Sequence, residues 1–331
     1  GSGKTECFMW PLMAKLVQEA HDSPRTWEKR GVRCIIMYPM NALVSDQISR
    51  LRRLLGDEAG RFVDLFRECA DDNARRPQFG MYTGRTPYPG AEARLGEDQA
   101  LAKTLARVIG KDGLSPYLEG LKKQGRIPAK KDLSTFVAHL RDGRHVTDPE
   151  DAELITRFEM QTTSPDILIT NYSMLEYLLF RPRERNIWDD TRKWLDASPN
   201  NRLLFVIDEA HCFSACGQDF RVDYLYIGDF IRELQEKKGD GCKIPVSCFT
   251  ATAKQKVISD IKEYFKNKLD IELELFATSS SRTNLRYEVL YKETDAEKYD
   301  ALRSLIEQKN CPTIVYVSRT KRTRMLAEKL T

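Results

Sequence analysis

An α/β fold on a parallel, doubly wound sheet is predicted by two features of this sequence. Five short runs are apolar and rich in β-branched residues: VRCIIMYP (32–39), PDILITN (165–171), LLFVIDE (203–209), PVSCFTATA (245–253) and PTIVYVS (312–318). They are continuous rather than alternating, which suits strands covered on both faces. Between them lie segments whose apolar residues recur at helical spacing, so strands and helices alternate along the chain.

The elements follow in order. A helix is expected from Lys4, because the pairs Phe8/Met9, Leu12/Met13 and Leu16/Val17 recur every four residues. Residues 42–55 and 257–265 show the same pattern. About 91–160 breaks the rhythm with charged, helix-forming composition, and it reads as an insertion on the sheet, a solvated helical decoration. The serine-rich stretch after Phe276 reads as a linker over 276–291. The expected domains are therefore 1–275, carrying the insertion, and the beginning of a second unit over 292–331.

Composition narrows the class. At 331 residues and 41% hydrophobic, the chain has material for two cores. No apolar run approaches the roughly 20 residues of a membrane span. The first residues show neither a basic nor an apolar leader, so a cytoplasmic location is expected and no membrane partner. The net charge of +4 permits a nucleic-acid partner without requiring one. Cys34 and Cys248 lie in strand-like runs and read as buried free thiols. Cys212 and Cys216 lack a second Cys/His pair at zinc-site spacing, so no structural metal is expected there.

Three stretches carry chemistry. The chain opens GSGKTE, and Gly3, Lys4 and Thr5 fill the last three places of G-x-x-x-x-G-K-[ST]. Residues Gly1, Ser2 and Gly3 would let backbone N–H groups turn onto phosphate oxygens. Lys4 would reach the β- and γ-phosphates and Thr5 would ligate Mg²⁺. A bare GKT is a short motif, and a chance match is its competing explanation. LLFVIDEAH is an apolar strand ending in Asp208 and Glu209, with His211 just beyond. A strand-terminal Asp beside a phosphate loop is placed to hold the nucleotide's Mg²⁺, and the next Glu to polarise the attacking water. Helix capping is the alternative for that carboxylate pair, but it explains neither GKT nor His211. FTATA (249–253) ends a strand in Thr250 and Thr252, two hydroxyls on one side.

GKT, DEAH and TAT in this order resemble the superfamily 2 DEAD/DEAH-box helicases, over most of the chain outside the insertion. The resemblance implies a RecA-like domain of the P-loop NTPase class, ATP and Mg²⁺ as cofactors, and a nucleic-acid partner. YPMNALVSDQISRLRRL (38–54), YTGRTP (82–87) and TNYSMLEYLL (170–179) resemble the family's backbone-contacting motifs. By this likeness Asn41, Thr83, Arg85, Thr170, Asn171 and Arg319 are candidate nucleic-acid contacts, and a turn or cap role is the alternative for each. DEAHCFSACGQDFR (208–221) and SRTNLRYEV (281–289) resemble RecQ-like DNA helicases, which implies DNA rather than RNA. Cys216, Gln218 and Thr283 depart from the RecQ pattern, while YPMNAL and TNYSMLEYLLFRP resemble large bacterial DEAH-type helicases of repair or defence systems.

In that family ATP lies between two RecA-like domains, and the second supplies arginines from a late motif. No such motif occurs by Thr331, so the chain is expected to be an internal piece of a longer polypeptide. Glu209, Asp208 and His211 are then the catalytic candidates. Thr250 and Thr252, with Phe213, Phe220 and Arg221 on the loop around Gly217, are expected to couple nucleic-acid binding to the ATP site, although Phe213 and Phe220 also fit a core role. The implied activity is ATP-dependent movement on or unwinding of DNA. An RNA helicase and an ATP-gated nucleic-acid clamp are the alternatives.

Overall fold

The computed structural model describes residues 4–39, 41–56, 61–88, 95–109, 116–213, 226–238, 241, 243–250, 254–277, 286 and 288–330. The chain divides into two units, Gly1–Glu274 and Leu275–Thr331. The first is built on six parallel strands: β1 (Cys34–Met37), β2 (Phe79–Tyr82), β3 (Glu153–Leu154), β4 (Ile167–Thr170), β5 (Leu204–Asp208) and β6 (Val246–Phe249). Their order across the sheet is β3-β2-β4-β1-β5-β6. The expected doubly wound parallel sheet is therefore present, and it is the sheet of a RecA-like domain.

Burial on both faces explains why the strands read as continuous apolar runs. Every residue of β1 and β4 is buried. Cys34, Ile36, Ile167, Ile169 and Val206 face one core, shared with α1 (Lys4–Asp22), α2 (Pro24–Trp27), α3 (Asn41–Leu55) and α4 (Arg61–Cys69). Their strand neighbours Ile35, Met37, Leu168, Phe205 and Ile207 face the other. Both thiols are free: Cys34 is buried as expected, whereas Cys248 on the edge strand is half-buried, and desolvation pushes both up in pKa, that of Cys248 to about 12.

The insertion is not the solvated decoration expected. It contributes α5 (Leu95–Ile109), α6 (Pro116–Lys123), α7 (Leu133–Arg141) and α8 (Arg157–Thr162), and it also contributes β3, the edge of the sheet. Helices α5 and α7 enclose a small core of Ala102, Leu105, Phe136, Val137 and Leu140. Lys130 is buried against Asp151 at 3.0 Å and against Glu159, with its Nζ 4.4 Å from the Phe136 ring centre. Burial opposes its charge, but the two carboxylates prevail and raise its pKa above the ordinary lysine value. In β3, Glu153 receives both N–H arms of Arg52 at 2.7 Å.

The chain then forms α9 (Tyr172–Phe180), α10 (Arg185–Asp196), α11 (Ile227–Lys238) and α12 (Gln255–Leu269), which cover the second face. Among the described residues no helix is long and apolar enough to cross a membrane.

The second unit contains α13 (Asp295–Lys309), capped by Thr294, and α14 (Thr320–Leu330). Arg322 of α14 reaches Asp295 of α13 at 2.9 Å. The strand expected over 312–318 does not form, and Ile314 and Tyr316 are 77% and 89% exposed. A strand needs a ladder partner, and no such partner for this run is found among the described residues.

Candidate functional site

Parallel register brings the carboxyl ends of the strands to one edge, where ligands of such sheets bind. Met37 lies opposite both Thr170 and Ile207, and Asp208 lies opposite Phe249. Helix α1 opens at Lys4 and seats its first turns beside this edge, with Phe8 and Phe249 ring centres 5.1 Å apart. Both half-motifs of the sequence are thus at the same end of the sheet.

Asp208 is 3% exposed. Its Oδ1 accepts the Glu209 backbone N–H at 2.8 Å. Glu209 has φ of 55°, a left-handed conformation that costs a non-glycine residue about 1–3 kcal/mol. Such strain clusters at functional sites. The conformation turns the chain sharply off β5 into a short 3-10 turn over Ala210–Phe213. As a result, His211 Nδ1 lies 3.2 Å from Glu209 Oε2 and 3.2 Å from Thr250 Oγ1. One imidazole thereby joins the end of β5 to the end of β6.

Thr5 is buried, and its hydroxyl accepts a hydrogen bond from Gln47 Nε2 at 3.1 Å. Gln47 belongs to α3 and was not expected from the sequence. Its signal is a polar side chain on the buried stripe of Val44, Ile48, Leu51 and Leu55. Tyr38, just after β1, was also missed. Its hydroxyl and Gln47 Oε1 are buried without hydrogen-bond partners among the described residues. Burial first, and then the Asp208 charge, push the Tyr38 hydroxyl far above its ordinary pKa. Orphaned buried polar atoms beside a hydroxyl and a carboxylate fit a hydrated Mg²⁺, which takes oxygen ligands and keeps several waters.

The remaining candidates separate. Thr250 sits with His211, as above. Phe213 is 2% exposed and lies against Tyr264 and Phe265, with ring centres at 4.7 and 5.2 Å. This is the core placement that the sequence left open for Phe213, with the ring enclosed by two others rather than offered to a base. Thr83 and Thr170 are also buried. The Thr83 hydroxyl accepts the Arg85 N–H at 3.2 Å, and the Thr170 hydroxyl donates to Tyr82 O at 2.7 Å. The Thr170 donor is thereby committed to the backbone, and the Thr83 oxygen shapes the loop after β2. Asn171 caps α9, accepting from Met174 N at 3.0 Å, and Asn41 opens α3. Arg85 is exposed on the loop after β2, and Arg319 is exposed in the second unit. Gly1, Ser2, Gly3, Thr252, Phe220 and Arg221 lie outside the described residues.

A parallel sheet with a buried aspartate and a strained glutamate at one strand end defines the class of RecA-like helicase domains. Residues 1–79 match the DEAD/DEAH box helicase family, and the chain carries a domain of that family. It is 40% identical over 238 residues to the Druantia protein DruE of Escherichia coli (strain UMEA 4076-1), covering 66% of this chain and 13% of that protein. It is 37% identical over 125 residues to the probable ATP-dependent DNA helicase RecS of Bacillus subtilis (strain 168), covering 38% and 23%. It is 38% identical over 102 residues to the RecQ-like DNA helicase blm-1 of Caenorhabditis elegans, covering 31% and 9%. The chain thus spans a small part of the length of each relative.

Proposed function

We propose that this chain is the ATP-driving part of a DNA helicase or translocase. The observation that carries the reading is the bridge Glu209–His211–Thr250 beside buried Asp208, which links the ends of two strands through one side chain. Thr5 and Asp208 would hold Mg²⁺, which when bound offsets phosphate charge. Glu209 orients a water toward the γ-phosphate and takes up its proton. His211 holds the Glu209 carboxylate from the side and senses Thr250. The assignment of 1–275 to the ATP-binding domain, 276–291 to a linker and 292–331 to the start of a second RecA-like domain belongs to the same proposal.

DNA is favoured over RNA because RecS and blm-1 are DNA helicases by name and share 37–38% identity with this chain. Nucleic acid would lie along the strand-end edge through phosphate and sugar contacts, with Arg85 as the exposed cation. ATP hydrolysis by the full-length protein should rise with single-stranded DNA and fall steeply with salt, and RNA should stimulate weakly. Equal stimulation by both would overturn the DNA assignment, and stimulation by neither would overturn the nucleic-acid reading.

A second test addresses the nucleotide end. Gln47→Ala removes the donor to Thr5 Oγ1 and should weaken Mg-ATP binding by up to about tenfold, the worth of one hydrogen bond. Binding in the absence of Mg²⁺ should change little. Titration of nucleotide with and without Mg²⁺ checks this, and identical affinities for parent and variant would remove Gln47 from the site.

A further inference from the structure

The loop after β2 carries Arg85, and its shape is fixed from two sides. From within, Thr83 N donates to Thr86 Oγ1 at 2.9 Å, and that hydroxyl donates to Met81 O at 2.6 Å. From outside, the support comes from the insertion. Arg157, the first residue of α8, donates its backbone N–H to Pro87 O at 2.9 Å. Its Nη2 donates to Thr83 O at 3.0 Å, and its guanidinium lies 5.2 Å from the Tyr82 ring centre. The Arg157 side chain therefore holds the near end of the loop, at Thr83 and Tyr82, while its backbone holds the far end, at Pro87.

Helix α8 is itself rigidly placed. Thr156 and Glu159 form a capping box at its start, and Glu159 is also the ion-pair partner of buried Lys130. Met160 lies over Gly80 of β2 so closely that a Cβ there would overlap its sulfur. On the other side of Tyr82, its hydroxyl donates to the buried Glu184 carboxylate. Glu184 follows Arg183, whose Nη1 lies 3.4 Å from the Tyr88 hydroxyl. Arg157, Tyr82 and Glu184 thus brace the 83–88 loop and the 181–184 segment from behind. Arg157 makes no ion pair among the described residues, and its Nε has no hydrogen-bond partner, so its charge is not cancelled locally.

We propose that Arg157 is a positioning residue for nucleic-acid binding, through which the insertion presents Arg85 to the phosphate backbone. Its hydrogen bonds hold the loop in one conformation, so Arg85 need not be ordered on binding. The proposal rests on the nucleic-acid reading above and goes beyond it by giving the insertion a function.

The test uses the full-length protein with Arg157→Ala, Arg157→Lys and Arg85→Ala. In each, the single-stranded DNA concentration that half-maximally stimulates ATP hydrolysis is measured, with the maximal and unstimulated rates, the KM for ATP and the thermal midpoint. Arg157→Ala should raise the half-stimulating DNA concentration on the order of tenfold. The two rates and the KM for ATP should stay within about twofold. Arg157→Lys keeps a cationic donor but loses the planar guanidinium that both donates to Thr83 O and lies beside the Tyr82 ring, so it should fall between. Arg157→Ala combined with Arg85→Ala should be no worse than about twofold beyond Arg85→Ala alone, because both remove one contact. Three results would overturn the proposal: an unmoved half-stimulating concentration, additive losses in the double variant, or rates and ATP KM that move together with a lowered midpoint. A parent protein that no nucleic acid stimulates would overturn the underlying reading and this proposal with it, whereas a stimulated parent with unmoved variants overturns this proposal alone.

Discussion

Glu209→Gln in the full-length protein is expected to lower ATP hydrolysis by on the order of 10²-fold or more while Mg-ATP still binds. Glu209 leaves β5 at φ of 55°, and its N–H is tied to Asp208 Oδ1 at 2.8 Å. The side chain is thereby aimed by the fold, with Oε2 3.2 Å from His211 Nδ1. Gln has the same length and tolerates the same φ as poorly as Glu does, so geometry and folding should persist. What disappears is the charge that orients a water and receives its proton. Asp208→Asn should behave differently, weakening Mg²⁺-dependent nucleotide binding, because that carboxylate is buried at the strand end rather than aimed at the His211 bridge. Glu209→Gly separates strain from chemistry: it should lose hydrolysis equally yet leave the thermal midpoint level or slightly higher, since glycine adopts positive φ at little cost. Parent hydrolysis rates in the Gln and Asn variants would remove both carboxylates from the mechanism. A lower midpoint in the Gly variant would show that Glu209 is held for stability.

The sequence disclosed the strands that are buried on both sides and hid those whose stability comes from distant partners. β1, β4 and β5 are predominantly apolar, which is the signal that burial on two faces leaves, and β6, half-buried at the edge, shows a weaker form of it. β2, FGMY, has a glycine in its middle instead of a β-branched residue, and that Gly80 leaves room for Met160, a partner 80 positions later. β3 is two residues long and includes Glu153, which reads as solvent-facing until Arg52 is brought to it. Local periodicity holds no record of such pairs. The same holds at the site. Lys4, Thr5, Asp208, Glu209 and His211 could be read as candidates because the proposed chemistry requires those residue types in that order. The proximity of His211 to Thr250 was not, because it depends on the parallel pairing of β5 with β6. Phe213 shows the reverse problem: an aromatic after a strand end fits a stacking platform or a core, and only the Tyr264 and Phe265 rings decide for the core.

The opposite edge of the sheet should be the place where a single substitution damages stability most without touching the site. Asp166, immediately before β4, is completely buried. Its two oxygens take a fork from Arg75 at 2.7 and 2.8 Å, its Oδ1 lies 3.1 Å from Arg33, and its Oδ2 accepts Gln78 N–H at 2.9 Å. Arg33 is itself fully buried between the Trp27 and Trp194 rings, 5.1 and 4.7 Å from their centres, and pairs with Glu19 at 2.9 Å. Asp166→Ala leaves two arginines inside the protein with too little negative charge, which costs about 3–5 kcal/mol. In a domain of this size that is a fall of roughly ten degrees in thermal midpoint. Burial alone would raise the Asp166 pKa, but the charge and hydrogen bonds of Arg75, then Arg33 and Arg30, hold it below the ordinary carboxylate value. A folded-state pKa below the unfolded one, about 3.9, stabilises the protein above that pH and is lost as pH falls below it toward the folded value. Thermal midpoints of parent and Asp166→Asn should therefore differ widely at neutral pH and converge below about pH 4, since the variant has no carboxylate left to protonate there. Nucleotide affinity, measured well below the midpoint of each protein, should be equal, because the strand-end site lies at the other edge. A midpoint for Asp166→Ala within two degrees of the parent would mean that the arginines find water or other acceptors, and that this network holds the amino ends of the strands only weakly.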